Sequence, residues 1–366
     1  MFFKKKNKIL FFLPSFADGG AEEVIISLAN QFNKKGVNLS FIVGNKSGNN
    51  KIKINKKITL INLKKSRLRK CFGSLVANIR KLKPKVVITT LAHSNLFFCF
   101  IKYFYNCNFK LIIRETNISP MGYLPLKNRI KIQAINILKK ILYNKADYIL
   151  AINSQSKKEL LALGIKKEKI KIFNNPSIKE NFINLANQKI KHKKVINENY
   201  ILYVGRFATH KKINFLVKIF YDVQKKVNSK LVLIGQGKEL NHVRKLVKSL
   251  KIEKKVIFIR YEKNPLPYMK NASTFVSFSE YEGQPNSVIQ SLGCGTSTLI
   301  KSYPGLNKEI EKAQNSKILK KLTNFKIIQT IIQNIKVKKK NNFNKKIIKA
   351  FNEEQYASKI IKMIYG

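Results

Sequence analysis

The feature that most constrains the fold is a regular alternation of short apolar runs with longer amphipathic stretches. In the first half of the chain, five runs have the composition of buried parallel strands: KILFFLP, LSFIVG, VVITTL, KLIIRET and YILAIN. Between them, AEEVIISLANQF and KNRIKIQAINILKKILYNKA carry apolar residues at helical spacing. Strands that alternate with helices predict an α/β fold with doubly wound parallel sheets.

The same alternation begins again near residue 200. YILYVGRF, KLVLIGQG, KVIFIRY, TFVSFS and STLIKS are predicted strands, and INFLVKIFYDVQKK, ELNHVRKLVKSL and PNSVIQSLGCG are predicted helices or helix starts. Two series predict two domains, residues 1–175 and 199–345, with the polar segment 176–198 connecting them and a C-terminal helix in 346–366 returning to the first. Open α/β sheets bind ligands at the carboxyl ends of their strands, so we expect the ligand in a cleft between the domains.

Composition limits the class of protein. A hydrophobic content of 44% is enough to bury two cores. The four cysteines lack paired metal-ligand spacing and favour a reducing compartment. The apolar run 9–13 is too short for a signal peptide, and polar residues interrupt the longest apolar stretch, 91–109. We therefore expect a cytoplasmic protein that spans no membrane but could lie against one.

The net charge of +54 has two explanations. It could attract a polyanion such as nucleic acid or an anionic membrane. However, only eight of the 73 Lys and Arg residues are arginine, and the lysines are spread along a chain that is also rich in Asn and Ile. This pattern fits a general compositional bias equally well, so the charge is compatible with a polyanionic partner without identifying one.

Glycines and cations follow the first predicted strand of each series. Gly19 and Gly20 precede an amphipathic helix, where they would let a backbone approach a ligand beside free N–H groups, although a tight turn explains them equally well. In YVGRFATHKK, Gly205 ends a strand, and Arg206 and Lys211 can point into the cleft from one loop. Two cations there would hold a diphosphate, with the scarce arginine more informative than the lysine.

The stretch EGQPNSVIQ follows the predicted strand TFVSFS. Glu282 lies on a turn beside Gly283, and Pro285 opens a helix whose first N–H groups are near Asn286 and Ser287. A carboxylate suits sugar hydroxyls and a helix start suits phosphate. From spacing alone, Gln290, which lies two turns into this helix, is predicted to be an ordinary solvent-exposed residue.

Taken in order, FADGGAEEV, YVGRFATHKK, LIGQGKELNHVRKLVKSL and the segment from IEKKVIF to PGLNKEI resemble retaining GT-B glycosyltransferases of the family-4 type. The resemblance covers most of residues 8–310, and YEGQPN, GCGT and PG form its most specific block. It implies two Rossmann-like domains facing each other across a cleft, with the acceptor on the first and the nucleotide sugar on the second. It also implies retaining transfer of a hexose from a nucleoside diphosphate sugar to an acceptor hydroxyl.

The resemblance implies roles for individual residues. In this family two glutamates, separated by seven residues, hold the donor sugar and the ribose; these positions are Glu282 and Gln290 here. Arg206 and Lys211 would bind the diphosphate, and His93 falls where the family often has a histidine near the reacting sugar, although a structural role is as frequent. The other implied donor-binding positions are Gly19, Gly20, Gly205, Gly283, Gln284, Asn286 and Ser287. Weaker similarity on the acceptor side involves Arg114, Glu115 and Asn117.

The family mechanism implies no nucleophile, and the sequence has no Asp-x-Asp motif that would present a divalent metal. The reaction is therefore expected to need neither a metal nor another cofactor. The expected partners are a nucleotide-sugar donor and a lipid-linked or glycan acceptor for polysaccharide or lipopolysaccharide assembly, with peripheral contact at the inner face of the cytoplasmic membrane. A GT-B nucleotide-sugar epimerase and a nucleic-acid binder remain as alternatives, although the latter lacks basic patches interleaved with stacking aromatics.

The sequence departs from the family in two places. Gln290 replaces the second carboxylate, which would weaken ribose binding by about 1–2 kcal/mol, or about tenfold, if its carbonyl oxygen still accepts from the diol. After PGLNKEI, the glycine-rich turn and the strand that normally follow are not recognisable.

Overall fold

The computed structural model describes residues 8–17, 20–48, 53–105, 107–115, 126–260, 262–320, 323–337 and 342–366, with only the backbone for 126–129 and 131. The chain divides into two compact units. The first comprises Met1–Pro176 with Glu353–Gly366, and the second comprises Ser177–Asn352.

Each unit is built on one parallel sheet in its described residues. The strands of the first are β1 (Ile9–Ser15), β2 (Leu39–Asn45), β3 (Thr59–Asn62), β4 (Val86–Thr90), β5 (Lys110–Glu115), β6 (Tyr148–Ala151) and β7 (Ile170–Ile172). Those of the second are β8 (Tyr200–Val204), β9 (Lys230–Ile234), β10 (Val256–Ile259), β11 (Thr274–Ser277), β12 (Thr298–Lys301) and β13 (Ser316–Leu319).

Helices connect the strands of both sheets. They are α1 (Gly20–Lys34), α2 (Phe72–Leu82), α3 (Ala92–Phe104), α4 (Leu126–Leu142), α5 (Ser154–Ala162), α6 (Phe182–Ala186), α7 (Ile213–Gln224), α8 (Leu240–Ser249), α9 (Leu266–Asn271), α10 (Asn286–Gly293), α11 (Lys308–Glu311), α12 (Asn324–Lys336), α13 (Lys345–Ala350) and α14 (Glu353–Tyr365).

The strand order is the same in the two sheets and is that of a doubly wound nucleotide-binding fold. It is β3-β2-β1-β4-β5-β6-β7 in the first and β10-β9-β8-β11-β12-β13 in the second, with every pair parallel. The direction of winding reverses between β1 and β4 and between β8 and β11. Ligands of such sheets bind beyond the carboxyl ends of the strands at these switch points.

Strand β1 shows why the strands appear in the sequence as continuous apolar runs. Ile9, Phe11 and Leu13 are buried on one face of the first sheet, against α1 and α14. Leu10 and Phe12 are buried on the other face, against α2 and α3. Because successive side chains of a strand point to opposite faces, a sheet covered on both sides requires apolar residues at every position.

The predicted domain boundaries differ from the observed ones. The segment predicted as a connection, 176–198, belongs to the second unit from Ser177 onward, where Phe182 and Val195 are buried in the core. Within the predicted C-terminal helix, α13 also belongs to the second unit and buries Ile347. Only α14 lies in the first unit, where it packs on α1.

Strand β13 corrects one expectation from the sequence. It follows PGLNKEI and extends the second sheet beside β12, with Leu299 opposite Lys317 and Ile300 opposite Ile318. Its side chains are mostly half-buried or exposed, as they are in two other edge strands, β3 and β7, whereas the edge strand β10 is mostly buried. None of β3, β7 and β13 has the continuous apolar run that identifies a central strand, which is why the sequence did not predict them.

Candidate functional site

The second switch point brings together two of the predicted site segments. Arg206 and Lys211 lie in the loop after β8, and Glu282 lies in the loop after β11, the strand next to β8. The two loops are joined through their backbones, because the amide of Glu280 donates a hydrogen bond to the carbonyl of His210 at 2.9 Å. The site therefore forms within one unit.

An ion pair between Lys211 and Glu282 lies at the centre of this arrangement. The Lys211 ammonium donates to Oε1 of Glu282, and the Ser279 hydroxyl donates to the same oxygen at 2.7 Å. The side chains of Lys211 and Glu282 are only 17% and 14% exposed. A cation and a carboxylate, both largely screened from water, are thus held side by side where a ligand would bind.

A stacked pair of aromatic rings connects the same two loops. The rings of His210 and Tyr281 lie 4.6 Å apart and nearly parallel, at 17°. Burial, reinforced by Lys211, lowers the pKa of His210 below its ordinary value. The imidazole is therefore neutral near pH 7 and contributes a ring surface to the site, not a third cation.

Arg206 points into an open cavity of about 680 Å³ that is lined by other cations. Gln236, Arg244 and Arg260 line the same cavity, so three of the eight arginines of the chain meet there. Within the described ranges, no carboxylate pairs with the Arg206 guanidinium, which is exposed. This cavity can accept an anionic ligand, and Arg206 joins it to the loop that also carries Lys211.

Two glycines allow the loops after β8 and β9 to approach closely. Gly235 and Gly237 have φ of 146° and 154°, in the region that favours glycine. A Cβ at Gly235 would lie 1.9 Å from the carbonyl oxygen of Gly205, and one at Gly237 would lie 2.3 Å from that of Phe207. No side chain fits at either position, so glycine is required at both for the loop after β9 to pack against the loop that carries Arg206.

The EGQPNSVIQ stretch is fixed by Ser177, more than 100 residues earlier in the sequence. Gln284 donates to the Ser177 hydroxyl at 2.8 Å, and that hydroxyl donates to Oδ1 of Asn286 at 2.8 Å. Nε2 of Gln290 donates to the Ser177 carbonyl at 3.0 Å. Because a carbonyl oxygen only accepts, the amide nitrogen of Gln290 must face it, and Oε1 is left as the acceptor for a ligand.

Helix α10 leaves two amides available at its start. The amide of Asn286 donates to the Gln284 carbonyl and that of Ile289 to the Pro285 carbonyl, both at 3.0 Å. The amides of Ser287 and Val288, between them, have no partner within a helix that begins at Asn286. They can bind an anion at the positive end of the helix dipole.

The first switch point, in the first unit, holds the other predicted residues. Gly20 is the first residue of α1, and His93 is the second residue of α3, which follows β4. Leu91 makes the turn between β4 and α3 with φ of 73°, an uncommon conformation for a residue with a large side chain. Partial desolvation lowers the pKa of His93, an effect that nearby Glu22 partly opposes. Gly19 and Asn117 lie outside the described residues.

Arg114 and Glu115, which were expected on the acceptor side, lie in the first unit and are both buried. Arg114 is 1% exposed and donates to the Thr90 hydroxyl at 3.2 Å, and burial lowers its pKa. Glu115 is 2% exposed, pairs with Lys139 at 3.1 Å and accepts from the Tyr143 hydroxyl at 2.8 Å. These buried contacts tie β5 to its neighbours, because buried charges require partners.

Sequence reasoning missed several residues that the structure adds to the site of the second unit. They are Ser177, His210, Arg244, Arg260 and Ser279. Arginine scarcity was the one available signal, and it applied to Arg244 and Arg260 as much as to Arg206.

No group of three or more His, Cys, Asp or Glu residues placed to hold a metal occurs in the described part of the chain. In the same part, no helix is long and apolar enough to cross a membrane.

Comparisons with known proteins identify the family of the chain. The family model described as Glycosyltransferase Family 4 matches residues 18–176, and the model described as Glycosyl transferases group 1 matches residues 186–365. One relative, from Campylobacter jejuni, is N-acetylgalactosamine-N,N'-diacetylbacillosaminyl-diphospho-undecaprenol 4-alpha-N-acetylgalactosaminyltransferase. It is 27% identical over 263 residues, which is 70% of this chain and 70% of that protein.

Solved structures show the same architecture. A glycosyltransferase from Rickettsia africae aligns with a TM-score of 0.77 at 16% identity, covering 98% of each chain. HepE from Anabaena, solved in complex with UDP, aligns with a TM-score of 0.74 at 15% identity, covering 98% of this chain and 99% of that one. The two parallel sheets and these likenesses define a two-domain, Rossmann-like GT-B fold. The chain belongs to the GT-B glycosyltransferases of the family-4 type.

Proposed function

We propose that this glycosyltransferase moves a sugar from a nucleoside diphosphate sugar to a hydroxyl of a lipid-linked glycan precursor, with retention of configuration at the transferred carbon. The observation that carries the proposal is the Lys211–Glu282 pair at the switch point of the second sheet, with Lys211 in the same loop as Arg206, which lines the arginine-rich cavity. The alternatives of an epimerase and a nucleic-acid binder are not favoured, since the matching families are transferases.

The donor would bind through its diphosphate and its sugar. Arg206 and Lys211 follow β8, the free amides of Ser287 and Val288 follow the adjacent strand β11, and all of them favour anions. Glu282 would accept hydrogen bonds from sugar hydroxyls while its other contacts, with Lys211 and Ser279, hold it in place. UDP bound to HepE makes a sugar ester of uridine diphosphate a reasonable first donor to test.

The reaction would proceed by electrostatic stabilisation of the leaving group. As the bond between the sugar and the diphosphate breaks, negative charge grows on the diphosphate, and Lys211 and Arg206 are placed to neutralise it. We propose that these cations and the start of α10 meet this requirement without a metal ion. The acceptor hydroxyl would attack on the face from which the diphosphate leaves, and this retains the configuration.

The acceptor class is inferred from one relative. The Campylobacter jejuni enzyme acts, by its name, on a sugar chain carried by diphospho-undecaprenol. We propose an acceptor of this chemical class, an undecaprenol-type lipid diphosphate carrying a sugar, and therefore action at the cytoplasmic face of a membrane. His93, exposed at the start of α3, is the residue that we propose lies near the reacting sugar.

A panel of nucleotide sugars, read by thermal shift, tests the proposal. A true donor at 100 times its dissociation constant is expected to stabilise the protein by about 2.7 kcal/mol, and to do so equally with EDTA present. Transfer to a lipid diphosphate acceptor is then measured with that donor, and the anomeric configuration of the product is read by NMR. An absence of stabilisation by any nucleotide sugar, together with RNA binding that falls steeply with salt, would contradict the proposal.

Changing Gln290 to glutamate is expected to lower the stability of the free protein but to tighten donor binding. Loss of the hydrogen bond to the Ser177 carbonyl should destabilise the free protein by about 0.5–1.5 kcal/mol, because a carboxylate cannot donate. The same carboxylate should tighten donor binding by up to about tenfold through charged hydrogen bonds to the ribose diol. Chemical denaturation and calorimetric titration with the donor measure the two quantities. Gln290→Ala is the control, which should lose both stability and affinity, and weaker donor binding by Gln290→Glu than by the wild type would contradict the assignment.

A further inference from the structure

The first unit exposes apolar side chains on two neighbouring helices, α3 and α4. On α4, Ile130, Ala134, Ile137, Leu138 and Ile141 follow helical spacing and form one stripe. All five are exposed, and Ile130, Ile137 and Ile141 are each at least 60% exposed. An apolar stripe of this kind on a surface helix normally faces a core.

This stripe is not the face with which α4 packs on its own unit. Lys139, on the opposite side of the helix, makes the inward contact with buried Glu115, and Leu142, at the C-terminal end of the helix, packs against the core on that face of the sheet. The helix is therefore apolar on two sides. Among the residues that the structure describes, the outer side has no packing partner.

Helix α3 extends the same surface with aromatic rings. Phe100, Tyr103 and Phe104 are exposed at its C-terminal end; the rings of Phe100 and Phe104 lie 4.4 Å apart, and those of Tyr103 and Phe104 lie 4.8 Å apart. The helix packs against α4. We define the α3–α4 surface by the exposed side chains of Phe100, Tyr103, Phe104, Ile130, Ile137 and Ile141.

The charge around the α3–α4 surface has one sign. Neither helix contains an Asp or Glu residue. Lys140 is exposed beside Ile141, and the Lys145 ammonium lies 4.1 Å from the ring centroid of Tyr103. The nearby acidic residue Asp147 is paired with Lys102. An apolar stripe flanked by lysines and aromatic rings has the chemistry of a helix that lies in the interface of an anionic bilayer.

We propose that the α3–α4 surface docks the first unit onto an anionic lipid bilayer. Its isoleucine and aromatic side chains enter the boundary between headgroups and acyl chains, and its lysines contact the lipid phosphates. A second copy of the chain is a poorer occupant, because each copy carries a net charge of +54 and would bring lysines against lysines. The inference extends the proposed function, since a lipid-linked acceptor lies in a bilayer, but its test measures lipid binding and not transfer.

The absence of tryptophan from the chain permits a direct test. Phe104→Trp introduces one indole on the α3–α4 surface, and Phe325→Trp introduces one at a comparably exposed position, 68% against 60%, in the second unit. With vesicles of phosphatidylglycerol and phosphatidylcholine that carry brominated acyl chains, we expect a blue shift and quenching at position 104 only. Equal quenching at both positions, or none at 104, overturns the proposal. A blue shift at 104 that grows with protein concentration and needs no lipid indicates self-association and also overturns it.

A second pair of variants measures the contribution of the stripe. Ile137→Gln with Ile141→Gln is compared with the matched control Ile183→Gln with Ile196→Gln, two isoleucines that are exposed in the second unit. In vesicle co-sedimentation, the first pair is expected to lower binding at least tenfold and the control less than twofold, because interfacial binding scales with the apolar area buried. Donor affinity, measured without lipid, is expected to be unchanged in both. Equal vesicle binding by the two double variants overturns the proposal.

Discussion

Replacing Glu282 by alanine is expected to lower the rate of sugar transfer on the order of 10³-fold. The carboxylate contacts Lys211 and Ser279 and, in the proposed complex, the donor sugar. Its removal leaves the largely screened Lys211 ammonium without its partner and takes away the acceptor for the sugar hydroxyls. Both losses act where the transition state forms, so the turnover number should fall more than the donor affinity.

A matched control for this change lies two residues away in the same loop. Glu280 pairs with Lys212 at 2.9 Å, and the Lys212 side chain is 41% exposed, so the pair resembles an ordinary surface ion pair. Glu280→Ala is expected to change the rate by less than about fivefold, since exposed pairs contribute up to about 1 kcal/mol. Initial rates at saturating donor compare the two variants. Full activity of Glu282→Ala, or equal losses in both variants, would remove Glu282 from the site.

The second sheet shows what sequence patterns can predict about this fold. The strand β8 and its neighbours are buried on both faces, and this produces apolar runs that no surface segment imitates. Three of the four edge strands, β3, β7 and β13, lack that burial on both faces and therefore lack the pattern, whereas the edge strand β10 is mostly buried and was predicted. The boundary at Ser177 was also missed, because isolated core residues such as Phe182 and Val195 in a polar segment give no periodic signal.

The candidate site also contains features that the sequence predicted and features that it did not. Lys211 and Glu282 are 71 residues apart, but their positions after the adjacent strands β8 and β11 follow from the strand order of a doubly wound sheet. The contact of Gln290 with the Ser177 carbonyl spans 113 residues and involves a backbone atom, which carries no mark in the sequence. Residue types at strand ends were therefore predictable, whereas the backbone contacts that orient them required the structure.

The substitution Lys211→Met is expected to lower the turnover number by about 10²–10³-fold, because it removes the cation nearest to Glu282 while keeping most of the side-chain volume. Lys212→Met, in the adjacent position and with its own carboxylate partner, is the control and should lose less than about fivefold. Rates are measured at saturating donor, and thermal unfolding of each variant shows whether a loss reflects unfolding.

The double variant of Lys211→Met with Glu282→Ala decides whether the two residues act as one unit. Side chains in contact do not contribute additively, so the double variant is expected to be no more than about tenfold slower than the slower single variant. If Lys211 and Glu282 instead served separate steps, their losses would multiply to about 10⁵-fold or more. A multiplicative loss would contradict a shared role, and Lys211 and Glu282 would then contribute to the rate independently of each other.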